Sequence, residues 1–173
     1  MEDREGCELF FFDESGVSQR SNLPYCWSPI GESHCKQSYS QNKKINILGF
    51  LSLTGQLFFE STEDTVSTET VISAFDNFIN HRESDLPCFI LLDNASMHRS
   101  TLFKTKIKEW LMKGVLICYL PPYSPELNLI EILWRKLKYE WLTCDAFTSF
   151  EKLKKSVLEI LTSYGNEFTI TFS

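Results

Sequence analysis

The stretch Cys88-Phe89-Ile90-Leu91-Leu92-Asp93 (CFILLD) decides the fold class. An unbroken apolar run entered from Pro87 and ended by an acid reads as a strand covered on both faces, since a strand with one wet face alternates apolar with polar residues. Downstream, residues 101–113 take helical period, with Phe103, Ile107, Trp110 and Leu111 as the apolar stripe and Gly114 suited to the C′ position. Residues 115–120 form a second short apolar strand, stopped by Pro121-Pro122. Ser124 as N-cap and Pro125 as first helical residue predict a helix to about Leu142, and residues 150–164 predict a last amphipathic helix ended by Gly165. Upstream, residues 8–12 read as a buried strand entering Asp13, and 13–32 as a loop holding a short strand near 25–27. Residues 45–53 and 56–60 form a hairpin about Thr54-Gly55. Residues 68–82 then carry Val71, Ile72, Phe75, Phe78 and Ile79 on one helical face. The order predicts an α/β fold: a mixed sheet, antiparallel in its leading strands and parallel afterwards, flanked by helices. All of 1–173 forms one domain, with roughly the last 8 residues outside its ordered part.

Composition removes several classes of function. With 43% hydrophobic and 23% charged residues the chain is an ordinary globular one, long enough to bury a core. No apolar run approaches the roughly 18 residues of a membrane span, and the acidic start MEDREGCELFFF is no signal peptide, so a cytoplasmic location without a membrane partner is expected. The cysteines at 7, 26, 35, 88, 118 and 144 include no CxxC pair, which argues against a structural zinc site. Reduced thiols are expected, with Cys88 and Cys118 as small buried hydrophobes. The net charge of −6 argues against a nucleic-acid partner until the chain is divided. Residues 1–98 hold 6 Lys or Arg against 15 Asp or Glu, whereas 99–173 hold 11 against 8. Basic residues in 99–113, 135–138 and 152–155 permit a local phosphate-binding face, although each cluster alone reads equally as a solvated helix surface.

Three acids stand where chemistry is expected. Asp13 closes the first strand and Asp93 the CFILLD strand, and ligands of open α/β sheets bind beyond the carboxyl ends of strands. Glu131 borders the helical seam of Leu127, Ile130, Trp134, Leu137 and Trp141, where a carboxylate is partly desolvated and needs a partner. Spacing alone leaves a plainer reading open, with Asp13 and Asp93 as turn residues and Glu131 paired to Arg135. Hard carboxylate oxygens would suit Mg2+ or Mn2+ better than zinc.

Three segments add more than spacing: FFDESG at 11–16, LLDNASMH at 91–98 and LPPYSPELNLIEILW at 120–134. They resemble the catalytic blocks of the DDE transposases of the Tc/mariner superfamily, above all its bacterial insertion-sequence members. The resemblance runs from about residue 8 to 142. It implies a ribonuclease-H-like fold in which Asp13, Asp93 and Glu131 are catalytic and hold two Mg2+ (or Mn2+) ions about 4 Å apart. It implies metal-dependent cleavage and strand transfer at transposon ends. The partners would be double-stranded DNA, meaning terminal inverted repeats and a TA target, and a second copy of the chain in a homodimer.

Among accessory residues, Asn94 orients Asp93, contacts DNA or merely forms a turn. His98 approaches the scissile phosphate or is bonded locally. Tyr123 and Asn128 shape the loop that delivers Glu131, Tyr123 with a packing role on DNA. Trp27, in YCWSPIGE, matches a family block that usually has a basic residue where this chain has Ile30. Two features depart from the family. The interval from Asp93 to Glu131 is a few residues longer than the commonest one. Met1 also stands too close to Asp13 for the helix-turn-helix module that precedes such domains, so a separate helix-turn-helix polypeptide, a fragment or a remnant is implied. The alternative function is a truncated, non-catalytic form that binds DNA or full-length transposase and inhibits it. An enzyme acting on bacterial DNA would work at the nucleoid.

Overall fold

A computed structural model describes residues 6–19, 30, 43–122 and 124–170. Five strands, β1 (Glu8–Ser18), β2 (Lys44–Ser52), β3 (Leu57–Thr62), β4 (Cys88–Leu92) and β5 (Val115–Tyr119), form one sheet in the order β3-β2-β1-β4-β5. The β1–β2 and β2–β3 pairs are antiparallel, and β1–β4 and β4–β5 are parallel. This is the expected mixed sheet. Helices α1 (Thr68–His81) and α2 (Thr101–Met112) cover one face, and α3 (Ile130–Lys136) and α4 (Phe150–Thr162) the other. Among the described residues no helix is long and apolar enough to cross a membrane.

Strand alternation divides the core between the two faces. Phe10 and Phe12 of β1 join the α1–α2 side, where Phe75 lies between Phe12 at 4.6 Å and Trp110 at 4.8 Å. Phe11 and Val17 join the α3–α4 side with Ile130, Trp134, Leu153 and Val157. Three helices begin at a serine, Ser67, Ser100 and Ser149, each accepting a backbone N–H of the first turn. Gly55 and Gly114 adopt φ of +87° and +77°, as the hairpin and the end of α2 require.

The structure corrects several expectations. β1 does not end at Asp13 but runs to Ser18, because β2 pairs with it as far as Ser18–Lys44. Residues 13–18 have the composition of a turn, and cross-strand pairing overrides it. No helix starts at Ser124: residues 125–127 make a 3-10 turn, and α3 begins only at Ile130 before widening into a π-helical turn over Leu137–Trp141. The cause is Asn128, whose buried side chain is tied to β1 and interrupts the helical path. Leu127, and on α2 Leu111, are not core residues, at 47% and 55% exposed, while Ile130, Trp134 and Leu137 do form the seam. Cys88 is fully buried, but Cys118 is only half-buried. Cys7, Cys88 and Cys118 are free, as expected, whereas Cys144 is disulfide-bonded. The short strand expected near 25–27 lies outside the described residues.

Gly49 of β2 sets how closely α3 approaches the sheet. A methyl group there would stand 2.7 Å from Trp134 Cη2 and 2.9 Å from Ile130 Cδ1. Gly49→Ala is expected to lower unfolding stability by about 1–3 kcal/mol through overpacking, checked by urea denaturation, whereas a change within 0.3 kcal/mol or so would show that α3 yields freely.

Candidate active site

The parallel pairing of β1 with β4 brings the first two acids together. Phe11 stands opposite Leu91, and two residues further along each strand are Asp13 and Asp93. Asp13 lies within β1 opposite Gly49, and Asp93 follows the last residue of β4. Glu131 arrives from the other side, in the first turn of α3. Its position depends on Asn128, whose Nδ2 donates to the Phe12 carbonyl at 3.2 Å and so fastens the start of α3 beside Asp13. Asn128 Oδ1 is buried without a partner among the described residues.

Asp93 and Glu131 line a cleft of about 780 Å³ together with Asn94, Arg99, Lys104 and Asn128. Asp13 does not line it, but the three acids influence one another electrostatically. Burial, helped by the charges of Glu14, Asp93 and Glu131, pushes the Asp13 carboxyl from 3.8 up to about 7. The Glu131 carboxyl is also raised, by desolvation first and then by Asp93 and Glu126, although the side chain stands on the exposed side of α3. No ion pair joins Glu131 to Arg135 among the described residues. Nor do any three His, Cys, Asp or Glu side chains there stand at common metal-ligand spacing. The donors are hard oxygens, and two of the three carboxyls are raised partly by neighbouring acids. A divalent cation fits such a set, because its charge would reverse that repulsion.

Asp93 is the best-anchored acid. Its Oδ1 accepts the Ala95 N–H at 3.0 Å and faces His98 Nδ1 at 2.9 Å. The hydrogen bond with His98, against the opposing effect of burial, holds its carboxyl below the usual range. His98 is fully buried, and its Nε2 meets Glu14 Oε1 at 2.9 Å. The reading of His98 as bonded locally is therefore the better one, though one of its partners comes from a distant strand. The Asn94 Nδ2 donates to the Leu120 carbonyl at 2.6 Å, joining the ends of β4 and β5, and the half-buried side chain also lines the cleft. Tyr123 and Trp27 lie outside the described residues.

Two participants escaped the reading of the sequence. Glu14, adjacent to Asp13, points to the opposite face, and only the third dimension brings it to His98. Lys138 lies close enough to Asp13 to feel its charge, while burial and then nearby Lys44 bear on its ammonium, whose pKa is lowered with burial as the main cause. The periodicity of the helix was its only available signal, since Lys138 falls two turns after Glu131.

A mixed five-stranded sheet with helices on both faces, carrying acids on its two central strands and on a following helix, defines the ribonuclease-H-like class. Within that class the chain belongs to the DDE superfamily endonuclease family, whose pattern matches residues 8–154. Its fold is that of the catalytic domain of Mos1 mariner transposase. It superposes on the Mos1 strand transfer complex with a TM-score of 0.68 at 17% identity, covering 92% of this chain and 48% of that one. It also superposes on a mariner Mos1 paired end complex with Mg, at TM-score 0.63 and 16% identity, covering 93% of this chain and 50% of that one. The catalytic domain of Mos1 mariner transposase gives a TM-score of 0.56 at 16% identity, covering 92% of this chain and 72% of that domain. The chain thus spans about half the length of the transposase chains in the two complexes. No curated protein sequence is similar enough to count as a relative.

A carboxyl raised on folding keeps a proton that the unfolded chain releases, so the fold loses stability as pH climbs from about 4 to about 7. Asp13→Asn is therefore expected to raise metal-free stability at pH 8 by about 2 kcal/mol, several degrees in thermal midpoint, with a smaller gain at pH 5. Differential scanning calorimetry at the two pH values tests this, and an equal gain at both would contradict it.

Proposed function

We propose that this chain is the catalytic part of a transposase that cleaves DNA at transposon ends and joins those ends to a target, with Asp13, Asp93 and Glu131 holding two Mg2+ or Mn2+ ions. The observation that carries this reading is the placement of the three acids near enough to raise one another's carboxyls. One lies on β1 and one directly after the parallel neighbour β4, and the third comes from a helix start fastened to the strand of the first. The family match and the fold of Mos1 support it, as does the Mg in one of those complexes.

Divalent ions, when bound, supply Lewis acidity at the phosphoryl oxygens and lower the pKa of an attacking oxygen nucleophile. The chain's own residues do the rest. Asp13, central and buried, presents a carboxylate whose cost in the empty site is its attraction for a cation in the loaded one. Asp93 is held by Ala95 and His98 through Oδ1, so its orientation is set before DNA arrives. Glu131, in the first turn of α3, closes the cleft from its open side. Arg99 and Lys104, on the same cleft, supply positive charge for the DNA backbone, which a chain of net charge −6 must concentrate locally.

The substrate is double-stranded DNA bearing terminal inverted repeats, with TA as target and a homodimer to pair two ends. Recognition of the repeats belongs to a helix-turn-helix module, and the work is done on nucleoid DNA in the cytoplasm. Incubated with transposon-end duplex and Mn2+ or Mg2+, the chain together with that module should nick the DNA. Asp93→Ala and Glu131→Ala should each reduce nicking at least about 100-fold. Nicking that survives both substitutions, or none from the wild type, overturns the reading. In binding assays, joint replacement of Arg99 and Lys104 by alanine should weaken affinity for all duplexes alike and flatten the salt slope by about 2.

A further inference from the structure

The described residues hold three further features: a second cleft lined by Gly16, Lys44, Glu63 and Phe150, the unpartnered Asn128 oxygen, and the chain of polar contacts behind Asp93. The last is the most fully determined. His98 has no solvent exposure, yet each of its ring nitrogens faces a carboxylate oxygen at 2.9 Å, Nε2 that of Glu14 and Nδ1 that of Asp93. The ring therefore bridges the two side chains, one nitrogen to each. Its plane is fixed from every side. Phe12 stands edge-on at 5.7 Å and Phe103 at 5.6 Å. The Tyr119 hydroxyl donates to the His98 carbonyl at 2.5 Å, and Nδ1 also reaches the Asp93 carbonyl at 3.2 Å.

The consequence falls on Asp93. Its side chain is 54% exposed, and Oδ1 carries both donors, the His98 ring and the Ala95 N–H. Among the described residues no donor reaches Oδ2. One oxygen is thus held from behind while the other is left for whatever enters the cleft. We propose that Glu14 and His98 form a positioning pair, in which Glu14 fixes the His98 ring and the ring fixes the Asp93 carboxylate, so that Oδ2 meets a divalent cation in one orientation. His98 is then not a contact to the scissile phosphate, and Glu14, though next to Asp13, is not an additional ligand. The inference rests on the reading of the three acids as a cation site.

Strand geometry explains how one pair can do this. Asp13 and Glu14 are consecutive on β1 and so project to opposite faces. His98 sits in the 3-10 turn Met97–Arg99 beyond the end of β4 and gathers Glu14 from one face and Asp93 from the other. Partners of this kind, behind a ligand rather than on the metal, typically change affinity 10- to 100-fold when lost.

The test is Mn2+ binding to the 173-residue chain without DNA, read by electron paramagnetic resonance and titration calorimetry, with circular dichroism and thermal midpoint confirming the fold. The variants are His98→Phe, which keeps an aromatic ring against Phe12 and Phe103, Glu14→Ala, Glu14→Gln and Asp93→Ala. Folded His98→Phe and Glu14→Ala should bind Mn2+ roughly 10- to 100-fold more weakly than wild type. Glu14→Gln, whose amide still bonds the ring, should stay within about threefold. Wild-type affinity in folded Glu14→Ala or His98→Phe, with Asp93→Ala abolishing binding, would overturn the positioning role and leave the acid site standing. A loss in Glu14→Gln as deep as in Glu14→Ala would assign the effect to charge and overturn it too. If wild type itself takes no Mn2+, the acid-site reading falls and the pair's role falls with it.

Discussion

β1 and β4 lie side by side and parallel, with Phe11 opposite Leu91, and the rest of the molecule is arranged around that contact. Parallel neighbours cannot be joined by a tight turn, so the chain between them must cross over, and here it does so through a hairpin and α1. The crossover covers one face, and α3 with α4 must return to cover the other, since both strands are apolar on both sides. Shifting the pairing by one residue would turn Phe10 and Phe12 out of the cluster they share with Phe75 and would separate Asp13 from Asp93. The core and the candidate site are therefore specified by the same register.

That arrangement concentrates negative charge where the interior can least solvate it. Asp13 bears the larger part, being the most buried of the three acids and beside the charge of Glu14. Asp93 escapes the penalty through its hydrogen bond with His98, and Glu131 partly escapes it through exposure. Lys138 offsets a little from the helix side, with its own charge disfavoured by burial. Such an arrangement costs stability at the acids, and stability given up in this way is usual at functional groups.

The three segments that resemble transposase blocks are also the three whose backbones the fold interlocks. Asn128 of the third holds the strand of the first at the Phe12 carbonyl, and His98 of the second holds Glu14 of the first. Asn128, read from the chain as a loop former, and His98, read as a phosphate contact or as bonded locally, both link one block to another. Their side chains are buried and their partners lie far away in sequence, so no local pattern could assign the partner.

The sequence by itself determined the element order, the two buried parallel strands, the hairpin at Thr54-Gly55, the helix seam of Ile130, Trp134 and Leu137, and which acids to watch. Period, turn residues and apolar runs are local properties, and local properties can be read one segment at a time. Tertiary structure decided what depended on distant partners. β1 continues through a turn-like composition because β2 pairs with it, and α3 starts at Ile130 rather than beside Ser124 because Asn128 is anchored on β1. Leu127 lies outside the core for the same reason. The recruitment of Glu14 and Lys138 to the surroundings of the acids was likewise decided by packing, for hydrogen bonds and electrostatic effects follow distance in space, and distance along the chain does not record it.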